Sequence, residues 1–489
     1  MICSSFHELI NSGYDNYKDI FGIYEKIDGK YVGKTFGEFY TDVRSLSKKL
    51  LEMGLYGKNI LICGRNSYNW MVAYLAVTAY VGTIVPIDKE WKRNDINNVL
   101  SSLNIDFIFH SDEMGETFEA ISLPKMNLEN AATELMQQGQ EIDNTLQPQN
   151  PDKICAIFYT SGTTATPKKV ELTERNFFAN SYSMAELVSL STRDRYMVSL
   201  PLNHIGTVFG NFGCPISMGA SLYIPNDFKE IAEDLKLIRP TVLYGVPRVF
   251  EKLLETISAN PKIKRALKLS SILRKIGIDI RKQLFADFHK GLGGTVRFAY
   301  NGAAKLSDEL IRVFNDMGLL VMQAYGMTEA TAIVSCDSIK DYRLGSTGKV
   351  LSNQICKIID INSEGIGEIC VKGDNIAICA IADDGYLHTG DLGYLDKDGY
   401  LYVVGRKKRM IKLSNAKNVY PDELEELLLK NEAIQQIRVY EESGLISADI
   451  VSDSDHNMIN RLVDSVNDTL PHYKQIRQFH IVDKLSGKS

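Results

Sequence analysis

Apolar residues at Phe36, Phe39, Tyr40, Val43, Leu46 and Leu50 recur at the spacing of one helical face, and Gly54 closes the run, which predicts a helix over Phe36–Met53. Helix and strand then alternate: Lys58–Cys63 reads as a β run, Tyr68–Tyr80 as helix, Ile84–Ile87 as strand, Ile96–Leu103 as helix and Phe107–His110 as strand. Such alternation predicts βαβ units and a mostly parallel sheet, an α/β architecture. The polar stretch Gln137–Lys153 reads as a loop, and Ile154–Tyr159 as an apolar strand. Further strands are expected at Tyr196–Leu200, Ser221–Ile224, Val242–Tyr244, Val296–Tyr300 and Leu320–Gln323. After Gly345 the pattern changes to short strands with turns at Glu364-Gly365, Asp384-Gly385 and Asp398-Gly399, which suggests a small β-barrel-like subdomain. A second change follows Arg406, with basic residues, a strong helix over Pro421–Leu429 and two or three strands. The expected boundary near Gly405–Lys408 divides a large domain, residues 1–404, from a small one, residues 405–489.

Two long stretches lack charge, Trp70–Ile87 and Tyr196–Asn226. The first carries Gly82 and Pro86 and reads as a buried helix running into a strand. The second is broken by Pro201, Gly206, Gly210, Gly213, Pro215 and Gly219, so neither supplies the roughly 20 continuous apolar residues of a membrane span. The second reads better as the wall of an apolar pocket. Of the 489 residues 44% are hydrophobic and 24% charged, which excludes a disordered, collagen-like or coiled-coil chain. A formal charge of −6 gives no electrostatic case for nucleic acid as a partner. The eight cysteines form no Cys-x-x-Cys pair and read as buried thiols in a reducing compartment. The first residues show no basic and apolar leader, so a cytoplasmic location is expected.

Four segments carry candidate chemistry. The first, Phe158 to Val170, runs from a strand into a loop of Thr160, Ser161, Gly162, Thr163, Thr164 and Thr166 followed by Lys168. Hydroxyls and backbone N–H groups there can cradle phosphate, with a lysine adding point charge. The glycine and lysine spacing of a Walker loop does not fit here, nor at Gly487-Lys488-Ser489. The second, Gln323 to Ala330, offers the flat face of Tyr325, the Thr328 hydroxyl and Glu329 as a hard oxygen ligand for Mg²⁺. The third is Asp384 to Gly393, where Asp391 could accept hydrogen bonds from a ribose diol. The fourth, Gly405 to Glu425, is basic and then helical.

In this order and spacing the four resemble the adenylate-forming superfamily of acyl-CoA synthetases, adenylation domains and luciferases, over nearly the whole chain. Ser161–Lys169 is similar to its phosphate loop, Tyr325–Glu329 to its Tyr-Gly-x-Thr-Glu signature, Thr389–Asp391 to its ribose motif, Gly405-Arg406 to its hinge and Ser486–Lys488 to its catalytic lysine segment. Pro240–Lys252 and Leu413–Glu425 look most like fatty acyl-CoA synthetases. The resemblance implies a large domain of two βα-sandwich subdomains plus the small β-barrel, followed by a mobile α+β domain. It implies an ATP-dependent ligase that joins a carboxylic acid to AMP and then to a thiol, either CoA or a carrier protein's phosphopantetheine. Thr163, Thr164 and Lys168 would hold the β- and γ-phosphates, Glu329 the Mg²⁺ and Thr328 the α-phosphate. Tyr325 and Gly326 would face the adenine together with Gly302 and Ala303, Asp391 and Arg406 would hold the ribose, and Lys488 would bridge carboxylate and nucleotide. Lys408 is the hinge by position.

The acyl group would sit against Ile205, Gly206, Phe209, Tyr244, Gly245 and Val246, with His204 orienting the carboxylate or serving the thiol step. Amino-acid-activating relatives place an aspartate after the pocket aromatic, whereas Leu200–Phe209 has no carboxylate, which implies an acid without an α-amino group. The sequence departs from the pattern at Ala165, Lys169, Asn301–Leu306, Ala416 and the compressed Asp483–Lys488. A catalytically impaired adenylate binder and a carrier-protein loading ligase therefore stand beside the CoA ligase as readings.

Overall fold

The computed structural model describes residues 3–131, 146–160, 167–226, 230–258, 261–275, 277–413, 417–431, 433–442 and 444–485. They group into two compact units. One falls within Met1–Ser161, Thr166–Ile355 and Lys372–Leu387, the other within Cys356–Val371 and His388–Ser489.

The first unit is built on two sheets. A six-stranded sheet orders Lys125–Asn127, Ile105–His110, Asn59–Cys63, Thr83–Ile87, Ile154–Thr160 and Lys168–Thr173. All its pairs are parallel except the last, a hairpin. A nine-stranded sheet orders Lys349–Val350, Ser335–Cys336, Leu320–Tyr325, Phe298–Asn301, Val242–Gly245, Arg195–Met197, Ser221–Ile224, Phe21–Ile27 and Lys30–Thr35. Its middle is parallel and its edges antiparallel. The expected helix spans Phe36–Glu52, and all six periodic apolar residues are buried. Thr35 caps it reciprocally with Glu38, satisfying two otherwise orphan N–H groups.

The charge-free helix is shorter than expected. It is α-helical over Tyr68–Ala76 and widens to a π turn over Val77–Val81. Gln149 fills the opening by donating to the carbonyls of Val77, Thr78 and Gly82. Every residue from Trp70 to Val81 is buried, which explains the missing charge without a bilayer. Among the described residues no helix is long and apolar enough to cross a membrane. Gly82 is obligatory, since a Cβ there would lie 2.2 Å from the Lys58 carbonyl oxygen.

Most residues of the strands expected as a small barrel fall in the second unit. They pair as a four-stranded sheet in the order Gln354–Ile359, Gly367–Gly373, Leu387–Leu395, Leu401–Arg406. Farther along, Gln436–Glu442, Leu445–Val451 and Gln478–Ile481 form a three-stranded sheet. Helices Pro421–Leu429 and His456–Asn467 share its core through Leu424, Leu428, Ile459 and Val463. The second of these helices is absent from the sequence reading: it buries only Ile459 and Val463 among many polar residues, and an Asp455 cap starts it. None of the eight cysteines is joined in a disulfide, and five are buried.

Candidate active site

In the first unit the antiparallel strands Ile154–Thr160 and Lys168–Thr173 flank the Ser/Thr segment in sequence, with Thr160 directly opposite Lys168. Ser161, Gly162, Thr163 and Thr164 lie outside the described residues. Lys168 projects into solvent, and its Nζ stands 3.5 Å from Oε1 of Glu329, whose side chain is only 12% exposed. An ammonium and a hard oxygen anion, about 160 residues apart in sequence, thus meet where strands of both sheets end.

Glu329 owes its place to an unusual turn. The strand Leu320–Tyr325 ends at Gly326, where a Cβ would lie 1.8 Å from the Ala332 carbonyl oxygen. Thr328–Ala330 makes one tight 3₁₀ turn, and Thr331 and Ala332 both take left-handed backbone (φ 47° and 79°). Two such non-glycine residues cost about 1–2 kcal/mol each and persist only where the surroundings enforce them. Buried amides supply that enforcement. Asn180 Nδ2 donates to the carbonyls of Ala330, Thr331 and Ile333 at 3.4, 3.0 and 3.2 Å. Asn375 Nδ2 donates to Ala330 O at 2.9 Å, and the Thr331 hydroxyl returns a 2.7 Å bond to Asn375 O. Gln354 and Asn353 donate to Asn180 Oδ1, both at 3.1 Å, and the Ala377 N–H donates to Glu329 O at 2.9 Å. None of these holders is a candidate in the sequence reading. Asn180 lies in the helix Glu174–Leu187 and carries no local signal of its target.

Behind the turn, Asp337 is buried and accepts the Gln323 N–H at 2.9 Å; burial pushes its pKa up to about 7. Tyr325 and Thr328 are half-buried, and Tyr325 O accepts the Val334 N–H at 2.8 Å.

Of the residues expected in the acyl wall, Gly206 stands against Tyr244. Cβ atoms added at Gly206 and Gly302 would stand 3.1 and 2.8 Å from its hydroxyl, and one at Gly210 3.7 Å from its ring. The three glycines leave room for this phenol, whose pKa burial raises to about 12. Gly245 is buried and accepts the Gly302 N–H, and Val246 is half-buried. Ile205 and Phe209 are buried in the main core, with Phe209 5.5 Å from Phe177. His204 sits exposed just before the short helix Ile205–Thr207, and desolvation by its surroundings lowers its pKa. Ala303 is exposed with φ 66°, again left-handed.

In the second unit the ribose motif is held locally. Asp391 and Arg406 face each other across paired strands, with Nε to Oδ1 at 2.9 Å. The Thr389 hydroxyl donates to Ile369 O at 2.8 Å and accepts the Asp391 N–H at 3.0 Å. Lys408 is exposed in the turn Lys407–Arg409. Its neighbours are tied down: Lys407 pairs with Glu368 and Asp360, and Arg409 with Asp422 and Glu425. Lys488 lies outside the described residues.

The doubly sheeted α/β body, the lysine and glutamate at the strand ends and the Thr-Gly-Asp strand motif define an adenylate-forming type of enzyme. Residues 18–379 match the AMP-binding enzyme family, and the chain belongs to that family. It is 28% identical over 479 residues to the long-chain-fatty-acid–CoA ligase ACSBG2 of Rattus norvegicus, covering 83% of this chain and 71% of that protein. It is 26% identical to the Gallus gallus ACSBG2, of whose length the match spans 63%, against 86% of this chain. Identity to fatty acyl-CoA synthetase B of Dictyostelium discoideum is 26%, over 85% of this chain and 71% of that protein. The fold is that of the O-succinylbenzoate CoA synthetase from Bacillus subtilis in complex with ATP and magnesium ion. The TM-score is 0.78 at 23% identity, covering 98% of this chain and 96% of that one. The anthranilate CoA ligase AuaEII in complex with anthranoyl-AMP gives a TM-score of 0.81 at 19% identity, over 100% of this chain and 95% of that one.

Proposed function

We propose that this chain is an AMP-forming acid–thiol ligase that activates an apolar, long-chain carboxylic acid with ATP and transfers the acyl group to CoA. The observation that carries the reading is Lys168 beside Glu329 at the strand ends, on a turn whose backbone is fixed by buried amides. The curated relatives named as long-chain-fatty-acid–CoA ligases support the acid and the acceptor. Glu329 is a hard, mostly buried oxygen donor, and among the described residues no group of three or more metal-ligating side chains exists. That set suits a Mg²⁺ which takes one protein carboxylate and completes its shell with phosphate oxygens and water. Bound there, the ion would neutralise charge on the phosphates.

The acid is ionised at neutral pH and needs no general base. Its carboxylate oxygen attacks the α-phosphorus, the bond to the β-phosphate breaks, and pyrophosphate leaves with the electron pair. The obstacle is anion approaching anion, so positioning and fixed positive charge provide the catalysis. In this reading Thr163, Thr164 and Lys168 steady the leaving phosphates, Thr328 holds the α-phosphate, and Lys488 bridges the two reacting groups. Tyr325 stacks on the adenine, while Asp391 and Arg406 fix the ribose. The thiolate of CoA then attacks the acyl carbon and expels AMP. Residues 405–489 move as the small domain about Lys408 between the two steps. The wall around Tyr244, with no carboxylate in Leu200–Phe209, favours an acid without an ammonium, whose unpaired burial would cost several kcal/mol. Eight cysteines with no disulfide among them support a reducing compartment, the cytoplasm.

The test is pyrophosphate exchange into ATP across a panel of acids. Exchange is expected to depend on a fatty acid, and CoA is expected to convert the intermediate to a thioester. Exchange driven best by an amino acid, or none with any acid, would overturn the reading. Thioester formed only on a carrier protein would replace CoA as the acceptor.

A further inference from the structure

Residues 261–284 concentrate charge of one sign. They hold eight lysines and arginines against one acid, Asp279, in a chain of formal charge −6. Asp279 is already engaged by Arg281 at 2.7 Å. The helix Pro261–Lys275 is oriented by Ser270, which is buried and donates its hydroxyl to Asp316 O at 2.9 Å. Arg265, Lys268, Leu269 and Ile272 then fall at i, i+3, i+4 and i+7 on one stripe, and all four are exposed. Leu269 is 45% and Ile272 60% exposed; the segment continues with Ile278 at 46% and Ile280 at 36%. An ordinary solvated helix keeps such large aliphatics off its outer stripe.

We infer that this face docks on an anionic lipid bilayer. Aliphatic side chains interleaved with lysine and arginine on one exposed stripe suit the boundary between headgroups and acyl chains, where the former insert and the latter pair with lipid phosphates. A symmetric contact with a second copy would bring like charges face to face. The chain order also fits. The strand Val242–Gly245 and the helix Pro247–Ser258 lead directly into this segment, so Tyr244 and Val246 lie one helix upstream of it. On the proposed function, the acyl wall is thereby linked to the surface from which a membrane-dissolved acid would come.

The experiment is co-sedimentation of the full chain with vesicles of phosphatidylcholine alone or with roughly one-third phosphatidylserine. No substrate is added, so the outcome is independent of the enzymatic reading. Partitioning is expected to be at least about tenfold stronger on the anionic vesicles and to weaken as salt rises. L269D/I272D should lose about tenfold or more of that binding, and R265E/K268E should abolish the preference for anionic lipid. Both pairs are exposed, so their unfolding midpoints should match the parent. Absent binding, equal binding to both vesicles, or binding untouched by both variants would overturn the inference. So would self-association of the parent that L269D/I272D abolishes, which would give the face to a second copy.

Discussion

The two motif carboxylates are held in opposite ways. Asp391 depends on its own neighbourhood: Thr389 two residues back and Arg406 directly across a hairpin. Glu329 depends on a turn with two left-handed residues, clamped by Asn180, Gln354 and Asn375 from distant parts of the chain. The first arrangement follows once two strands pair. The second needs the whole first unit assembled, because strained backbone is retained only where packing over-determines it. On the proposed function Glu329 would gain from this: a carboxylate on a fixed turn would lose little entropy on meeting a metal ion. The cost is that damage far from the motif reaches it.

The largest effect is expected at Glu329 itself. Glu329→Gln keeps the shape and removes the charge, and should lower kcat/KM for adenylation by about 10²-fold or more, with a raised Mg²⁺ requirement. Unchanged turnover across a magnesium titration would contradict its role. Next, Asn180→Ala should take the amide donor from Thr331 O, leave Ala330 O and Ile333 O to Asn375 and Gln354 alone, and destabilise the fold by about 3 kcal/mol in urea titrations, with adenylation also impaired. If activity survives at full rate in the folded variant, the clamp does not position Glu329.

Asp337 lies in the same region and carries a pH signature. Its folded pKa of about 7 stands above its ordinary 3.8, so the folded state binds the proton more tightly. This contribution to stability is complete below about pH 4 and is lost as pH rises toward 7. Asp337→Asn should remove that slope, and near pH 8 should exceed the parent by about 2 kcal/mol in urea unfolding. At the exposed left-handed Ala303, Ala303→Gly should stabilise by about 1 kcal/mol, read as a higher unfolding midpoint. Arg406→Ala should be the mildest for stability, about 0.5 kcal/mol, because the arginine is 56% exposed, while the KM for ATP rises. A larger stability loss there than at Asn180 would reverse the comparison.

The same contrast separates what the sequence makes legible from what it does not. The helix at Phe36, the buried strand at Asn59–Cys63 and the parallel alternation carry periodicity and caps in the sequence, and they fall within a few residues of expectation. Motif spacing pointed to Lys168 and Glu329 separately, and the fold puts them 3.5 Å apart. The amide clamp was not legible, because an asparagine inside a helix shows nothing of which carbonyls it will reach. The π turn at Val77–Val81 was hidden for a similar reason: its opening is filled by Gln149, remote in sequence. His456–Asn467 escaped because two buried residues among polar ones leave too weak a period.

On the proposed function the acid's own oxygen attacks the α-phosphorus. This is tested most directly by supplying a fatty acid labelled with heavy oxygen in the carboxyl group, with ATP, Mg²⁺ and CoA, and weighing the products. One labelled oxygen should appear in AMP for each thioester formed, and none in pyrophosphate. Label in inorganic phosphate with ADP as the nucleotide product, or unlabelled AMP, would contradict the account.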